Sequence, residues 1–534
     1  MEEKRFRVLI ADSLDKEALD VFIKYPNIAV DVKTKHTQEE LLSIVKNYDG
    51  IIVRSSTKIN KDIIEAATNL KVIARAGTGY DNIDVEACTK KGVVVLITPS
   101  GNANAVVELT LGFMLNAARM IPDANFTMSQ GKWEKNKYMG TELKGKTVGI
   151  IGLGRIGSGV AKRCKAFEMN VIAYDKFIPK RIADDLGVQL IEDLDELIKI
   201  SDYITIHVPL TPQTNKLINR AHFEKMKSNA VIINVARGEI IDEQVLYEFL
   251  KEKKIRGACI DVYSKEPASP DKFPFIGLEN CITTPHIGAS TIEAQKNVAI
   301  LAAENISQAL TTNIFIDAVN VPFKIPYDQA HLYRPYMVLG SKLGKIISQY
   351  NRNRINEVTI KYKGELFDKY FEPIRAIILE SIFENRLKEI TFINTESILH
   401  EIGIKVSVEK YEKSINFENY IKIFIKTDNG IESKIAGTVF IETPKIVEID
   451  GLYFDFAPTD FMLIIKNHDK PGVVGRIGTF LGENNINIAS LQLGRKEKGT
   501  QAISVISIDE KIENTVLEKL KTLKDIIDVS MILI

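Results

Sequence analysis

Four cysteines in 534 residues (Cys88, Cys164, Cys259 and Cys281) are too few and too scattered to staple a secreted scaffold, and no pair has metal-ligand spacing. Buried free thiols in a reducing cytoplasm are expected, with no bound metal. Net charge is missing as well. Lys and Arg number 70, as do Asp and Glu, so no global field gathers nucleic acid or an anionic membrane. No apolar run approaches membrane-spanning length, and the start, MEEKRFRVLIADSL, is charged where a signal segment would be apolar. What remains is an ordinary globular composition, 45% hydrophobic, in a chain too long for one core and expected to form three or four domains.

The most informative stretch is 146–175, KTVGIIGLGRIGSGVAKRCKAFEMNVIAYD. Val148, Ile150 and Ile151 read as a buried parallel strand. Gly152, Gly154 and Gly157 then form G-x-G-x-x-G, with Ile156, Val160, Cys164 and Phe167 at helical spacing behind it. A second apolar run ends at Asp175. Gly152 allows the tight turn, Gly154 lets a pyrophosphate approach the backbone, and Gly157 lets helix and strand pack closely. The helix N-terminus offers amide donors and a positive dipole end to the phosphates. Asp175 is expected to accept from both ribose hydroxyls and to repel a 2′-phosphate, which selects NAD over NADP. Glycines alone are a weak signal; strand, glycines, helix, strand and acid in one unit make NAD the expected cofactor.

Residues 1–98 alternate strands and helices, as in a small α/β domain. Two of its strand ends carry arginine, in VRSS (Arg54, Ser55) and ARAGTG (Arg75, Ala76, Gly77, Thr78). Carboxyl ends of parallel strands are where such sheets bind ligands, and two guanidinium groups there suit an anionic substrate. A long, nearly all-round apolar helix, expected to be buried, follows over 99–122. Next comes a polar loop, GKWEKNKYMG, with the only tryptophan and Lys135; on its residues alone it reads as a wet loop.

Further βα repeats end in polar clusters that should line one cofactor cleft: His207-Val208-Pro209, Val235-Ala236-Arg237, Asp261, and His286 with Gly288 and Ala289. Arg155 and Ile156 open the helix behind the glycines on the same side. Three of these strand ends hold what an alcohol oxidation needs. His286 is the natural proton acceptor, Glu266 a carboxylate to orient it, and Arg237 a cation for a carboxylate or a polarised carbonyl. Spacing alone leaves His286 open between a catalytic and a structural role.

Residues 290–320 return as a helix that should rejoin the first domain. AVNVPFKIPYD, with Pro322 and Pro326, reads as a linker, and 328–456 as an α+β module without a catalytic cluster. The last segment has the order βαββαβ of the ferredoxin-like plan. Asn467 and Asp469 precede its first helix, and Asn487 opens its next strand facing them. Such a group suits an amino-acid ligand, and equally a plain polar start to a helix. The domains are therefore read as 1–98 with 294–320, 99–293, 321–456 and 457–534.

VRSSTKI, RAGTGYDNID, GNANAVVELT, GLGRIG, NVARGEIIDE, DVYSKEP and TPHIGAST together resemble the D-2-hydroxyacid dehydrogenase family, in its long phosphoglycerate-oxidising form. The resemblance spans essentially the whole chain. It implies a Rossmann NAD-binding domain, a flavodoxin-like substrate domain, an intervening allosteric substrate-binding domain and a C-terminal ACT domain. It places the family's catalytic arginine, glutamate and histidine on Arg237, Glu266 and His286. It adds Asn102 and Lys135 to the substrate residues and gives Asn467, Asp469 and Asn487 to an L-serine effector. The implied reaction is oxidation of 3-phospho-D-glycerate with NAD+, at the entry to serine biosynthesis, in a cytoplasmic homo-oligomer (dimer or tetramer). Two alternatives stay open: the same chemistry on an unphosphorylated acid such as glyoxylate or hydroxypyruvate, and an NAD-sensing regulator without turnover.

Overall fold

The computed structural model describes residues 6–312, 315–321, 330–388, 390–411, 417–495 and 497–534; the expected linker around Pro322 and Pro326 lies outside them. The first sheet has five parallel strands in the spatial order Ile28–Val32, Phe6–Ile10, Gly50–Val53, Val72–Arg75, Val94–Leu96. Alternate residues face opposite layers, and both faces are apolar because both are covered. Leu9, Ile51 and Ile73 point into one core, and Val8, Ile52 and Ala74 into the other. The second face is covered by the helix Ile292–Thr312, whose Val298, Ala299, Ala302 and Ile306 pack on it from almost three hundred positions away. Small residues permit the close approach: a Cβ on Gly50 would meet Ile306 Cδ1 at 2.8 Å.

The second sheet has seven parallel strands: Cys281–Thr283, Gly257–Ile260, Val231–Asn234, Tyr203–Ile206, Thr147–Ile151, Asn170–Tyr174 and Gln189–Leu190. The chain starts at Thr147–Ile151, winds outward twice, then returns to Tyr203–Ile206 on the other side. That reversal opens a crevice at the carboxyl ends of the two central strands, where open α/β sheets take their ligands. The helix Ala103–Arg119 buries Val106, Val107, Phe113 and Met114 on this sheet. It is less enclosed than its composition suggests, because only one face meets the sheet: Leu109 and Leu111 are half-buried and Leu115 is exposed. It ends at Met120, in the left-handed region, and the chain continues as Ile121–Ser129, a helix with no buried residue.

The third sheet runs Lys405–Lys410, Ile355–Lys363, Tyr420–Thr427, Glu432–Phe440, Thr443–Ile449, Leu452–Phe456, parallel only in its first pair. Helices Ala330–Tyr350 and Glu365–Phe383 cover it. The fourth, antiparallel, has the order Ile488–Arg495, Gln501–Ile508, Phe461–His468, Ile526–Leu533, with helices Val473–Glu483 and Asn514–Lys521, which is the βαββαβ plan. One core joins these two sheets, with Ile464, Val505 and Ile532 packed among Leu339, Leu343 and Phe454. A short loop ties the third unit to the first: Asn394 donates to the Lys90 carbonyl at 3.0 Å, and Phe392 stacks on Phe315 at 5.0 Å. Among the described residues no single helix is long and apolar enough to cross a membrane.

Candidate active site

The glycine turn has the shape the sequence asks for. Gly152 has φ +93°, and a Cβ there would lie 2.7 Å from the His207 carbonyl oxygen. A Cβ on Gly157 would lie 2.0 Å from the Gly152 carbonyl oxygen, so only glycine lets helix Arg155–Ala166 sit this close to its strand. Gly154, the N-cap, is different: a Cβ there meets nothing within 4 Å, which leaves open space above the amides of the first turn. That space, at a helix N-terminus, fits a pyrophosphate. Arg155 reaches Asp317 at 3.4 Å, Ile156 is half-buried, and Val208 and His207 close over the turn while Pro209 is exposed. His207 shares a hydrogen bond with Thr205 Oγ1 at 2.9 Å, and burial pushes its imidazole down to about 3.

Asp175 departs from expectation in one respect. Its carboxylate accepts from the N–H groups of Leu153 (2.8 Å), Phe177 (2.8 Å) and Ile178 (3.1 Å), which ties the glycine turn to the second strand. With three of roughly four acceptor positions taken by backbone, about one is left for a ribose hydroxyl rather than two.

Glu266 and His286, twenty residues apart, meet directly. His286 Nδ1 lies 2.9 and 2.8 Å from the two Glu266 carboxylate oxygens. Burial raises the Glu266 carboxyl, but the hydrogen bond and charge of His286, with the Tyr263 N–H and Arg237, more than reverse this and hold it below the usual range. With its proton on Nδ1, the imidazole presents the lone pair of Nε2, which has no partner among the described residues. His286 sits at φ +54°, a left-handed conformation that costs a non-glycine residue about 1–2 kcal/mol. Asp261 secures it. Its backbone carbonyl accepts from His286 N (2.9 Å), and its fully buried carboxylate accepts from Thr284 Oγ1 (2.6 Å), Ile287 N (2.8 Å) and Gly288 N (2.9 Å). Asp261 therefore holds the histidine loop, where the sequence suggested a cofactor contact. Ala289 accepts from Gln295 Nε2 at 2.7 Å and fixes the far side of that loop.

The other lobe contributes cations. Arg75, half-buried, lies over Gly77, where a Cβ would fall 1.4 Å from Nη1, and its buried Nε has no partner among the described residues. Burial first, then the charges of Arg237 and Arg54, push its guanidinium down to about 10, so the three arginines gather in one place. Arg237 donates Nε to Asp81 at 3.0 Å and Nη1 to the Ala236 carbonyl at 2.6 Å; Val235 beside it is buried. Arg54 donates to the Ser13 carbonyl at 3.3 Å, Ala76 is buried, and Ser55 is exposed. Thr78 Oγ1 donates to Asn102 Oδ1 at 2.8 Å where helix Ala103–Arg119 begins. Lys135 is not brought in. It is exposed on the turn Lys135–Tyr138, beside a Trp133 that is 81% exposed, with no bond to any cleft residue.

Two contributors were passed over in the sequence. Asp12 accepts from Arg54 N (2.6 Å) and from Thr57 N and Oγ1 (3.2 and 2.8 Å), and so fixes the loop that carries Arg54. Asp81 holds Arg237. Both follow a strand's carboxyl end, the signal that picked out the arginines.

The C-terminal trio is not assembled within the chain. Asn467, buried, donates Nδ2 to the His468 carbonyl and accepts from Ser504 Oγ, opposite Ala502. Asp469 accepts from Arg495 Nη1 (3.2 Å) and Gly499 N (3.0 Å). Asn487 precedes Ile488, which pairs with Ile508, and donates to Asp509 at 2.7 Å. Positions 502 and 509 lie about 20 Å apart on an extended strand. Helix Val473–Glu483 carries the chain back to the far end of the sheet before Asn487, so the expected facing arrangement does not form.

Fold and site together define an NAD-dependent oxidoreductase. The NAD-binding domain of the D-isomer specific 2-hydroxyacid dehydrogenases matches residues 111–288, the D-3-phosphoglycerate dehydrogenase intervening domain 332–450, and the ACT domain 461–525. The D-3-phosphoglycerate dehydrogenase of Methanocaldococcus jannaschii is 43% identical over 98% of this chain and 99% of its own, and that of Archaeoglobus fulgidus 42% over 98% and 99%. A glyoxylate reductase structure from Paecilomyes thermophila superposes with a TM-score of 0.55 at 27% identity, covering 59% of this chain and 98% of that one. The chain belongs to the D-3-phosphoglycerate dehydrogenase branch of the D-2-hydroxyacid dehydrogenase family, in the long form that carries intervening and ACT domains.

Proposed function

We propose that the chain oxidises 3-phospho-D-glycerate to 3-phosphohydroxypyruvate with NAD+, the first step of the phosphorylated route to L-serine. The observation that carries this reading is the His286–Glu266 pair with Arg237 close enough to act on Glu266, Arg237 in turn lying near Arg75, which also feels the charge of Arg54. NAD, when bound, supplies the acceptor for the hydrogen and electron pair that leave C2. His286 Nε2 takes the C2 hydroxyl proton, and Glu266 stabilises the imidazolium that results. Arg237 grips the carboxylate and polarises the forming carbonyl, while Arg54 and Arg75 hold the phosphate end. Gly77, Thr78 and Asn102 shape the floor between them. The lobes correspond to residues 1–98 with 294–320 and to 99–293, followed by 321–456 and 457–534, and closure of the first two sets the reacting atoms in contact.

The test is NADH formation from 3-phosphoglycerate by the purified chain. Equal rates on glycerate, glyoxylate or hydroxypyruvate would remove the phosphate from the reading. No turnover despite NAD binding would favour a sensor.

The relatives' ACT domain and the Asn467, Asp469 and Asn487 side chains support L-serine as a feedback effector. Because Asn487 stands a sheet-length from the other two, a site using all three takes Asn487 from a second chain, in keeping with a dimer or tetramer. Four buried, unpaired cysteines suit a cytoplasmic setting.

A further inference from the structure

Arg237 is held by groups the proposed chemistry has not used. Its Nη1 is tied to its own neighbour, the Ala236 carbonyl, and its backbone carbonyl accepts from Asn234 Nδ2 at 2.8 Å. Its Nε is tied to Asp81, 156 positions away on the other lobe. Asp81 sits in a loop with little freedom of its own. Asn82 Nδ2 donates to the Arg54 and Thr57 carbonyls (2.7 and 2.6 Å), Ile83 N to the Tyr80 carbonyl, and Asp84 caps the next helix. Gly79 completes the fit, since a Cβ there would lie 1.7 Å from Arg237 Nη2. Nη2 is left as the group without a partner among the described residues.

Electrostatics says why such a hold is needed. Arg54, Arg75 and Arg237 repel one another, and half-buried Arg75 is tied by Nη1 to the Ala76 carbonyl at 3.2 Å. Without its bond to Asp81, Arg237 would keep only the tie to its own neighbour, the Ala236 carbonyl, against that repulsion. Asp81 and Asp12 oppose the charge on Arg75, and Glu266 feels that of Arg237, but among these carboxylates only Asp81 is bonded to the Arg237 guanidinium. The Asp81 side chain is 62% exposed, and an ion pair so wet adds little to folding stability, so its value lies in where it puts the guanidinium.

We propose that Asp81 is a positioning residue that reaches across the cleft to fix Arg237, so that Nη2 faces the substrate carboxylate. The inference rests on the reading of Arg237 given above. It also makes the catalytic arginine's orientation a joint property of both lobes, so that the arginine is aligned only while the lobes keep their mutual placement.

The test uses the full chain. Asp81→Ala should lower kcat/KM for 3-phosphoglycerate about 10- to 100-fold, the loss a displaced positioning group brings, with NAD affinity and thermal midpoint unchanged. Asp81→Asn, which keeps an acceptor oxygen for Nε, should recover most of that loss. Asp81→Ala placed on Arg237→Lys, which lacks the fork, should cost nothing further. Should the alanine variant fail to fold, Asp81→Ser, too short to reach Nε, carries the same expectation. Wild-type kinetics for the alanine or serine variant, or a full additional loss on top of Arg237→Lys, would overturn the proposal. Full activity in Arg237→Lys alone would instead overturn the role of the arginine, so the two failures are told apart.

Discussion

The catalytic cleft and the C-terminal module place polar side chains by opposite rules. In the two parallel sheets every strand ends at the same edge, so Arg54, Arg75, Arg237, Glu266 and His286, spread over more than two hundred positions, converge. In the antiparallel βαββαβ sheet, Asn467 and Asn487 are twenty positions apart and end at opposite edges. Sequence proximity is the poorer guide in both. Two glutamates repeat the contrast. Glu266 faces His286 and stays below the usual carboxylate range. Glu380, on helix Glu365–Phe383, is pushed up to about 7 by burial and by Glu384, with only the Phe392 N–H and Lys345 opposing. The first carboxylate has a charged partner in the proposed chemistry, and the second is a charge the fold carries at a cost.

Two substitutions strain the cleft side of this contrast hardest. His286→Ala removes the base paired with Glu266, and turnover should fall by about 10²- to 10⁴-fold while NADH binding, followed by fluorescence, survives. Equal loss of both would return His286 to a structural role. Gly154→Ala should fold normally, because the new Cβ meets nothing within 4 Å. It should weaken NAD about tenfold by filling the phosphate space, roughly 1.4 kcal/mol. A lower melting temperature with unchanged NAD affinity would contradict that assignment of the open space.

How far this was legible from sequence depends on the type of signal. Local periodicity reveals strands and helices, and a parallel sheet needs nothing more to predict which loops meet. That is why Arg75 and Arg237 were found, along with the glycine turn. The environment of each found group was less visible. Nothing local says that the Asp175 carboxylate is largely occupied by the amides of Leu153, Phe177 and Ile178, or that Asp261 turns to the histidine loop. Those are contacts made after folding, and only the register of the strands fixes them. The same reason hid the separation of Asn467 and Asn487: the helix between them sets the direction of the next strand, whereas composition sets only its presence.

On the C-terminal side, the glutamate contrast has a pH signature. Glu380 takes up its proton more readily folded than unfolded, so the stability it permits is complete below the ordinary carboxyl value near 4.5 and is lost as pH rises toward about 7. Glu380→Gln should therefore stabilise the protein by about 2 kcal/mol at pH 8 and hardly at all near pH 5, measured as denaturant midpoints at the two values. Glu266 behaves oppositely. Its lowered value means that the His286 pairing supports the fold above the ordinary carboxyl range and is lost only in acid. A Glu380→Gln gain independent of pH would mean that the carboxyl titrates alike folded and unfolded, so that burial does not raise it.

The smallest structural effect belongs to the effector candidates, and it decides whether their separation is real in the working protein. Asn487 makes one exposed hydrogen bond, to Asp509, so Asn487→Ala should change stability by no more than about 0.5 kcal/mol. If L-serine binds where Asp469 of one chain meets Asn487 of another, Asp469→Ala and Asn487→Ala should each abolish serine binding in the pure oligomer. A hybrid dimer with one variant on each chain then has one interface with both defects and one with neither. Calorimetry on the co-expressed hybrid should recover half the wild-type number of sites. A site built inside one chain would be damaged in both subunits and recover none.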